Sequence, residues 1–551
     1  MNKKWIILEH ERNVGSNDII EKIFETRSIS DPEEFLFPSE KNWIDCNKLK
    51  NIDVASDLLV KHLRNNSKIN VFMDVDTDGV CSGVMVYQYL QKLNANVDWC
   101  INIGKEHGLQ GQPLESWVGE YDLIIVVDSS SENYKEHKFL KENGIDVIIL
   151  DHHKAKYESD NAVIVNSQLD NYPNPQLSGS GVAFKFLKYM DNVLNENYAD
   201  EYWDLATVGI IADMMDVSER SMENRYICYK GFLNLQNRGL KAVLGNYSFD
   251  GQAVSYSIAP LINSAMRLDQ NELAVALLLA PTIKKGKEIV KILKHLKDRQ
   301  NKFKKSIVDE VIFQLKNDEL DKNQVISIVL NDMTEEEKNI TGLIATEISR
   351  EFKTPTLVLH KGEGREEGCY TGSIRSYGVP DLRTQILNTG CVKWCRGHEQ
   401  AAGISIPIER YEAFLKTINQ QLSDYKFEIT EYADIAIKPN EVTFELLGAL
   451  EKINLITGEG FKPITVVMRN VSVNGLYKFV GKHCKFSYKD IEFVIWNCGD
   501  KFDELSSRTG ECTIIDCLGS LSINNFRGRN KQFIIDDYRN IRHTNNCFRF
   551  A

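Results

Sequence analysis

The stretch Ile69-Asn-Val-Phe-Met73-Asp74-Val-Asp-Thr-Asp78-Gly79 decides the fold of the first half of the chain. Its first five residues are mostly apolar, as in a buried strand, and the acidic residues after them are typical of a loop that enters a helix. Amphipathic segments at 83–93 and 134–143 alternate with further apolar runs. Nearly continuous apolar strands between helices predict an α/β fold with a parallel sheet covered on both faces. The other predicted strands are Val97-Asp-Trp-Cys-Ile101, Leu123-Ile-Ile-Val-Val127, Val147-Ile-Ile-Leu150 and Ala162-Val-Ile-Val165.

The rest of the chain is predicted to form further units, because 551 residues exceed the size of a single core. The connector is helical, the next unit repeats the α/β pattern, and the last has short alternating strands typical of a small OB-like β-barrel. The barrel strands are expected near residues 465–473, 484–488, 491–496, 513–518 and 532–535. The predicted units are an N-terminal extension (1–45), a parallel-sheet catalytic domain (46–221), a helical connector (222–316), a second α/β domain (317–426) and the barrel (427–541).

Composition limits the class of protein. The hydrophobic fraction of 42% and charged fraction of 26% are those of a globular protein, and no apolar run is long enough to span a bilayer. We expect a cytoplasmic protein whose twelve cysteines are reduced. The net charge of −12 argues against a DNA binder that works by charge alone, although bound cations can reverse the field in one groove. The lysine-rich stretch 284–305 is interpreted as a solvated helix face.

Four clusters of acidic or histidine residues fall immediately after predicted strands, the last of them after the apolar segment 206–212. Because the carboxyl ends of parallel strands meet at one edge of a sheet, we expect these residues to lie together. Carboxylates with one or two imidazoles suit Mg²⁺ or Mn²⁺. The residues are Asp74, Asp76, Asp78, Asp128, Asp151, His152, His153 and Asp213.

Two divalent ions at this edge would hold a phosphate and lower the pKa of a bound water. Asp128 lies centrally among the strands and is the candidate ligand for both ions. The run from Asp74 to Gly79 also resembles the beginning of a calcium-binding EF-hand loop. Such a loop follows a helix and has glutamate at its twelfth position, where this chain has Met85. A carboxylate after a strand is often only a helix cap, but capping alone does not explain four such clusters.

Zinc is a separate possibility at Cys391, Cys395 and His398, although no fourth ligand lies at a supporting spacing. Core or loop thiols are the alternative interpretation of these cysteines.

Several motifs together resemble the DHH phosphoesterase superfamily and, within it, the bacterial RecJ single-strand exonucleases. They extend over nearly the whole chain in a fixed order. They are Asp31-Pro-Glu-Glu-Phe-Leu-Phe-Pro38, the acidic run at 74–79, Asp151-His-His153, Leu177-Ser-Gly-Ser-Gly-Val-Ala-Phe184, Thr207-Val-Gly-Ile-Ile-Ala-Asp213, Glu223-Asn-Arg225, Ala259-Pro-Leu-Ile-Asn263, Gly372-Ser-Ile-Arg-Ser376 and Gly397-His-Glu-Gln-Ala-Ala-Gly403.

The resemblance implies a role for each matching position. Asp151 would accept the second ring proton of His152, and His153 would face the scissile phosphate. The second α/β unit would be the DHHA1 domain and would bind the substrate phosphate, although a surface ion pair is the alternative for Arg375. The implied metal ligands are Asp76, Asp78, Asp128, His152 and Asp213, with Asp74 beside them. The implied substrate-binding residues are Asn263, Arg267, Ser373, Arg375, Ser376, Gly397 and His398.

The activity implied by the resemblance is two-metal hydrolysis of single-stranded DNA from the 5′ end, with Mn²⁺ or Mg²⁺, in DNA repair or recombination. The groove between the α/β units would admit one strand but not a duplex. In the barrel, Phe526-Arg-Gly-Arg529 and Lys531 would contact the strand, or Phe526 would fill the barrel interior. The implied partners are single-stranded DNA and either a single-strand-binding protein or a helicase; we expect a monomer that does not bind membranes.

Four positions depart from the family pattern: Leu261 and Met266 in the connector, Arg396 in the second α/β unit, and the loop 104–109. They leave the end polarity and the need for a 5′-phosphate open, with Lys105 or Arg396 as possible replacements. Two other functions also stay open: a phosphodiesterase for short oligonucleotides or cyclic dinucleotides, and an inactive replication scaffold. The barrel argues against the first, and the complete set of metal-ligand positions argues against the second.

Overall fold

The computed structural model describes residues 4–8, 16–102, 108–317, 323–427, 430–499, 501–506, 512–525 and 528–544. One hydrophobic core extends from the parallel sheet through the helical connector into the barrel. The second α/β unit is instead built around cores of its own. Among the described residues, no helix is long and apolar enough to cross a membrane.

The N-terminal segment contains one strand and three helices. Its strand pairs in parallel with residues Thr430–Ala433, so the N-terminal strand lies against the C-terminal unit. The elements are β1 (Lys4–Ile7), α1 (Ser16–Thr26), α2 (Pro32–Leu36) and α3 (Ile52–Arg64).

The first α/β unit is a five-stranded sheet in which every pairing is parallel, with strand order β3-β2-β4-β5-β6. All five predicted strands are confirmed to within one residue at each end. The elements are β2 (Ile69–Met73), α4 (Thr77–Lys92), β3 (Val97–Ile101), β4 (Leu123–Val127), α5 (Tyr134–Glu142), β5 (Asp146–Asp151), β6 (Val163–Asn166), α6 (Gly179–Leu194) and α7 (Trp203–Ala212).

One element of this unit was predicted wrongly. The apolar run 206–212 lies in helix α7 and is not a strand, so Asp213 is a helix C-cap residue. Helix α7 is buried along nearly its whole length. A helix that is apolar on all sides lacks the 3.6-residue periodicity that distinguishes a helix from a buried strand in sequence.

The connector is helical, as predicted, and a short π-helical segment (Val254–Ile258) joins two of its helices. Its last helix has 35 residues and packs first on the connector and then on the second α/β unit. The elements are α8 (Met222–Leu233), α9 (Arg238–Leu244), α10 (Gly251–Ala253), α11 (Ala259–Arg267), α12 (Asn271–Leu278) and α13 (Ile283–Asn317).

The second α/β unit has a mixed sheet with strand order β10-β11-β9-β8-β7, in which only β7 and β8 are parallel. Helix α15 packs on β8 and β9. The elements are β7 (Ile326–Leu330), α14 (Glu335–Lys338), α15 (Thr341–Phe352), β8 (Thr356–Lys361), β9 (Cys369–Arg375), α16 (Leu382–Leu387), β10 (Trp394–His398), β11 (Ala401–Pro407) and α17 (Tyr411–Gln421).

The C-terminal unit contains a barrel in which five strands pair in a ring, β14-β15-β16-β18-β17 and back to β14. All five predicted strands are present, and three of them extend well beyond the predicted ends. The elements are β12 (Thr430–Ala433), β13 (Ile435–Ile437), α18 (Phe444–Ile453), β14 (Val466–Phe479), β15 (His483–Tyr488), β16 (Ile491–Ile495), α19 (Lys501–Leu505), β17 (Cys512–Asn524) and β18 (Asn530–Thr544).

The cysteines are not all reduced, contrary to our prediction. A disulfide joins Cys484, on β15, to Cys498, just after β16. The two positions are 14 residues apart, and nothing in their spacing distinguishes them from the other cysteines. Eight further cysteines in the described part of the chain are free.

Candidate metal centre and phosphate pocket

Four side chains converge at the carboxyl edge of the parallel sheet: Asp78, Asp128, His152 and Asp213. Their ligand atoms form two clusters that share His152, and within each cluster the atoms lie within 4.8 Å of one another. One cluster contains Asp78, His152 and Asp213, and the other contains Asp128, His152 and His153. The expected gathering of these residues at one edge of the sheet is therefore present in the structure.

The polar atoms at the centre of these clusters are buried and make no hydrogen bond. They are Oδ2 of Asp78, Oδ1 of Asp128, Nε2 of His152 and Oδ2 of Asp213. Nε2 of His152 lies 3.2 Å from Oδ1 of Asp128 and 3.3 Å from Oδ2 of Asp213. Buried polar atoms in proteins are nearly always paired, so four unpaired ones at a single point indicate a binding site for a cation.

Burial and repulsion between the carboxylates shift the pKa values of the side chains in this centre. Burial and the carboxylates of Asp78 and Asp76 raise the pKa of Asp128 well above its ordinary value. The same causes raise the pKa of Asp213 to about 8. Burial lowers the pKa of His152, against the attraction of Asp78. An added divalent cation would favour ionised carboxylates and a neutral imidazole, the states in which both ligate metals.

Three glycines allow the helices to approach these carboxylates. A Cβ at Gly79 would lie 2.7 Å from the carbonyl oxygen of Asp74, where α4 begins against the end of β2. A Cβ at Gly179 would overlap the carboxylate of Asp128, and one at Gly209 would overlap that of Asp78. The roles of Gly179 and Gly209 could not be predicted from the sequence, because each approaches a carboxylate far away in the chain.

The first turns of two helices support the acidic loop. Asp76 caps α4 by accepting a hydrogen bond from the backbone N–H of Gly79 at 2.8 Å. The backbone N–H of Ser180, in the first turn of α6, donates to Oδ1 of Asp78 at 3.1 Å. Helix N-termini stabilise carboxylates. Asp78 is thereby held with its other oxygen toward the centre.

Asp74 and Asp76 belong to neither cluster of candidate ligands. Asp74 is buried, and its Oδ1 accepts hydrogen bonds from the backbone N–H of Val75 and from Nδ2 of Asn102. Both lie close enough to raise the pKa of Asp128. Their assignment as metal ligands stays a prediction.

The hydrogen-bond partner that we predicted for the carboxylate of Asp151 is wrong. Oδ1 of Asp151 accepts a hydrogen bond from Nδ1 of His153 at 2.8 Å, whereas the ring of His152 bonds to the backbone carbonyl of Leu177. Asp151 contacts His152 only through the backbone N–H of that residue, at 2.7 Å. Consecutive residues after a strand point in different directions, and their sequence does not reveal which ring turns toward the carboxylate.

His153 is consequently the charged histidine of the site. Burial of its ring opposes the charge, but the hydrogen bond to Asp151 and the negative charge of that carboxylate raise the pKa of His153 to about 9. Its side chain is 55% exposed, whereas that of His152 is 8% exposed. An imidazolium open to solvent beside the metal clusters can contact a bound phosphate.

The residues of the predicted phosphate pocket lie at the beginning of α15. Oγ of Ser373 lies 3.0 Å from Oγ1 of Thr341, the first residue of that helix. Nε of Arg375 donates to Oγ1 of Thr346 at 3.2 Å, and a side chain on Gly342 would overlap the guanidinium. Arg375 makes no ion pair with a described residue, which leaves its charge available to an anion.

Two arginines of different units, Arg267 and Arg375, lie close enough for the charge of one to act on the other. Burial and the charge of Arg267 lower the pKa of Arg375, and burial lowers the pKa of Arg267. Asn263, one turn before Arg267, accepts a hydrogen bond from Oγ1 of Thr77 at 2.8 Å, next to the acidic loop. The predicted residues of the connector therefore lie between the metal clusters and the pocket.

The remaining pocket residues are placed by strand register. His398 pairs with Ala401 on β11, and Ala401 pairs with Arg375 on β9, so the three residues lie side by side. The backbone N–H of Ser376 donates to the carbonyl of Gln400 at 2.8 Å. Gly397 has φ of +125°, a conformation available to glycine alone among common residues. Their contact with substrate stays a prediction.

Several sequence hypotheses find no support or cannot be assessed. The thiols of Cys391 and Cys395 do not form a candidate metal group with His398 among the described residues. Lys105 and Phe526 lie outside the described residues. Leu261 is buried in the connector core, so this position presents an apolar side chain to the core.

A second buried charge cluster lies nearby, and the sequence suggested only that Glu223, at its centre, belongs to a motif. Oε1 of Glu223 accepts hydrogen bonds from Nζ of Lys185 at 2.6 Å and from the hydroxyl of Tyr172 at 2.9 Å. Nδ2 of Asn174 and the backbone N–H of Ile44 also donate to Glu223. We call these five residues the Glu223 network. In contrast to the metal centre, its charges are paired.

Comparison with known proteins identifies similar domains at both ends of this architecture. Residues 68–210 match the model of the DHH family, N-terminal domain, and residues 433–537 match that of the RecJ OB domain. A Bacillus subtilis protein provisionally named as an SPbeta prophage-derived single-strand DNA-specific exonuclease, YorK, is 29% identical and covers 94% of this chain and 96% of its own length. The single-stranded-DNA-specific exonuclease RecJ of Bacillus subtilis is 27% identical, over 91% of this chain and 65% of that protein.

Solved structures show the same fold. The crystal structure of RecJ in complex with Mn²⁺ from Thermus thermophilus superposes with a TM-score of 0.75 at 22% identity, over 97% of this chain and 79% of that one. The Mg²⁺ complex of RecJ from Thermus thermophilus gives a TM-score of 0.70 at the same identity, over 97% and 78% of the two chains.

Proposed function

The chain is a RecJ-type member of the DHH superfamily, and on that premise we propose that it is an exonuclease that hydrolyses single-stranded DNA from one end. The observation that carries the proposal is the convergence of four buried, unpaired ligand atoms at the edge of the sheet. A scaffold protein that binds no metal would bury these atoms at a cost and gain nothing. The neighbouring arginines Arg267 and Arg375 would supply positive charge for a substrate phosphate.

The residues of the centre fit divalent cations. Asp78, Asp128 and Asp213 offer hard oxygen ligands, and His152 offers an imidazole nitrogen that the two clusters share. Neighbouring ligands of an octahedral Mg²⁺ site lie about 3 Å apart, since each lies about 2.1 Å from the ion. The separations of 3.2 and 3.3 Å between His152 and its two carboxylates match that spacing. We therefore propose that these four residues hold Mn²⁺ or Mg²⁺, two ions in all.

Divalent cations at such a site lower the pKa of a water and neutralise charge on the phosphate in the transition state. His153 contributes a fixed positive charge toward the substrate, because Asp151 holds its Nδ1 and keeps the ring protonated. Its Nε2 is then directed away from Asp151 and is free to donate to a phosphate oxygen. Asp151 acts on the substrate only through His153.

The cleft residues position the strand. Arg267 and Arg375 neutralise phosphate charge, and the hydroxyl of Ser373 adds a hydrogen bond at the beginning of α15. A terminal phosphate monoester carries more charge than an internal diester, so two converging arginines favour an end. We propose that the end is the 5′ end, that degradation runs 5′ to 3′, and that the cleft admits one strand but not a duplex.

The experiment uses a 40-nucleotide strand labelled in turn at each end, the matching duplex, and a dinucleotide, each with Mn²⁺. We expect stepwise shortening of the single strand, mononucleotide release from a 5′-phosphorylated end, and little cleavage of the duplex. Cleavage of the dinucleotide alone would support the phosphodiesterase alternative. Equal activity of Asp128→Ala would disprove the metal assignment.

Further proposals concern the cellular location, the oligomeric state, the partners and the domain limits of the protein. We propose a cytoplasmic monomer that acts beside a single-strand-binding protein or a helicase in DNA repair or recombination. The eight free thiols among the described residues agree with that location, and the disulfide does not. Sedimentation with and without such partners tests this. We also propose the domain limits 46–221, 222–316, 317–426 and 427–541, which limited proteolysis would locate.

A further inference from the structure

A buried asparagine at the end of β6 links that strand to the segments that follow β4 and β5. Asn166 is fully buried, and it lies beside Asp151 in the register of β5 and β6. Its Nδ2 donates to the backbone carbonyl of His153 at 2.9 Å and to Oγ of Ser131 at 2.8 Å. Its Oδ1 accepts the backbone N–H of Gln168 at 2.7 Å. Both ends of the amide are therefore engaged.

These partners decide which way the amide of Asn166 is turned. A carbonyl oxygen can only accept a hydrogen bond and a backbone N–H can only donate one, so Nδ2 faces His153 and Oδ1 faces Gln168. An aspartate of the same shape would place a second acceptor against the carbonyl of His153. The position therefore requires an amide, and an isosteric carboxylate cannot replace it.

Ser131 extends this link to the carboxylate that holds the imidazole of His153. The backbone N–H of Ser131 donates to Oδ2 of Asp151 at 3.1 Å, while Oδ1 of that carboxylate accepts a hydrogen bond from Nδ1 of His153 at 2.8 Å. Ser131 and Asp151 are both buried. Asn166 thus reaches His153 by two routes, directly at the backbone and indirectly through Ser131 and Asp151.

His153 depends on hydrogen bonds for its position, because packing does not enclose it. Its side chain is 55% exposed, and residues 154 and 156–158, which follow it, are exposed as well. Exposed side chains change rotamer within nanoseconds unless something holds them. A displacement of about 1 Å in a group that acts on the transition state can lower the rate about 100-fold.

A buried asparagine can also serve only to stabilise a fold, and the Glu223 network contains such a case. Nδ2 of Asn174 donates to Oε2 of Glu223 at 3.1 Å and to Oδ1 of Asn224 at 3.0 Å. Its Oδ1 accepts the backbone N–H of Gln176 at 3.2 Å, two residues further on, as Oδ1 of Asn166 does with Gln168. The two asparagines make equivalent hydrogen bonds, but only those of Asn166 lead to His153.

We propose that Asn166 is a positioning residue for the reaction and acts through His153, by holding its backbone directly and its imidazole through Ser131 and Asp151. The proposal rests on the proposed exonuclease function and concerns the contact between His153 and the phosphate. Asn166 does not itself touch the substrate. Its loss should therefore affect catalysis only as far as His153 contributes to it.

The first test measures cleavage of a 5′-phosphorylated single strand of 40 nucleotides by the full-length protein with Mn²⁺. Asn166→Ala should lower kcat per folded molecule about 100-fold and change KM less than about threefold, because the residues that bind the terminal phosphate are untouched. Asn166→Asp should lose as much activity. Asn174→Ala is the matched control, and it should lower the unfolding temperature while leaving kcat per folded molecule unchanged.

A double-mutant cycle with His153 separates positioning from a general effect on the fold. Residues that act as a unit have effects that do not add. In the His153→Ala background, Asn166→Ala should change kcat by less than about twofold. An effect on the fold alone would lower kcat by the same factor whether or not the imidazole is present.

Binding of Mn²⁺ alone, followed by calorimetry, shows whether Asn166 acts through the metal centre instead. Ser131 is three residues from Asp128, so a change near Ser131 can reach that candidate ligand. We expect Asn166→Ala to bind Mn²⁺ as the unmodified protein does, and Asp128→Asn to bind it more weakly.

Ser131→Ala is a milder variant for the case in which Asn166→Ala does not fold. It removes one acceptor of the Asn166 amide and leaves the backbone N–H that donates to Asp151 in place. We expect kcat to fall about fivefold, the factor that corresponds to one hydrogen bond. This loss should also disappear in the His153→Ala background.

Three outcomes overturn the inference while the exonuclease function stands. They are an unchanged kcat in Asn166→Ala or, if that variant does not fold, in Ser131→Ala; an equal loss of kcat in the His153→Ala background; and a loss of Mn²⁺ affinity as large as that of Asp128→Asn. If the unmodified protein does not degrade the single strand, the proposed function fails instead.

Discussion

Two buried charge clusters, one at the edge of the parallel sheet and one where that unit meets the connector, differ in how their charged groups are compensated. In the Glu223 network, Lys185 and Glu223 are 0% and 1% exposed and are paired at 2.6 Å, with further hydrogen bonds from Tyr172 and Asn174. In the metal centre, Asp128 is equally buried but its Oδ1 makes no hydrogen bond.

The difference distinguishes a cluster that stabilises the fold from a cluster that binds a ligand. A buried charge that is fully paired stabilises a particular packing, and Lys185 also lies 3.8 Å from the ring centroid of Trp43 in the N-terminal segment. A buried charge without a partner lowers stability and persists only where a ligand needs it. We therefore expect substitutions in the two clusters to have opposite effects on stability and activity.

The largest expected effect is on the activity of Asp128→Asn. Loss of this ligand should lower kcat/KM on a single strand at least about 1,000-fold, or about 4 kcal/mol in the activation free energy. In EDTA the same variant should unfold at the same temperature as the unmodified protein or a higher one, because an amide is less costly to bury than an unpaired carboxylate. Thermal unfolding and a nuclease assay measure both. A variant that loses stability in EDTA would contradict the comparison.

The next effect is on the stability of Lys185→Met. Removing one partner of a buried ion pair costs about 3–5 kcal/mol, because Glu223 would remain buried without its cation. We expect a lower unfolding temperature and normal kcat/KM per folded molecule well below that temperature. Full stability with lost activity would instead place Lys185 in the catalytic machinery.

A third effect is the response to metal. Mn²⁺ at about 100 times its dissociation constant should stabilise the unmodified protein by about 2.7 kcal/mol for one site. Lys185→Met should be stabilised by a similar amount, and Asp128→Asn by clearly less. Unfolding temperatures recorded over a Mn²⁺ titration distinguish these cases. An equal shift in all three proteins would mean that the metal binds elsewhere.

The smallest expected effect belongs to the double variant Lys185→Met/Glu223→Gln. Replacing both charges removes the uncompensated carboxylate, so much of the stability lost in Lys185→Met should return. The unfolding temperature of the double variant should lie between those of Lys185→Met and the unmodified protein. A double variant less stable than Lys185→Met would show that Glu223 stabilises the fold mainly through Tyr172, Asn174 and Ile44.

Much of the fold follows from local patterns. Strands such as Ile69–Met73 and Leu123–Val127 are predictable because every residue in them is buried, which requires an apolar run of strand length. For helix α7 the prediction of a strand from an apolar run was wrong, since the helix is apolar on all sides. The disulfide between Cys484 and Cys498 was also missed, because pairing depends on the distance between the two Cα atoms, here 5.7 Å, and not on spacing in the chain.

The sequence by itself determined the parallel sheet, the barrel and the identity of the candidate ligands, because buried strands and strand-end carboxylates leave local signatures. Only the tertiary structure decided how each ligand is used. It turned the ring of His153, and not that of His152, toward Asp151, and it placed Asp213 at a helix end. It also left Oδ1 of Asp128 without a hydrogen bond while pairing the carboxylate of Glu223 with Lys185. Those outcomes depend on which residues meet across long separations in the chain, and no local pattern records them.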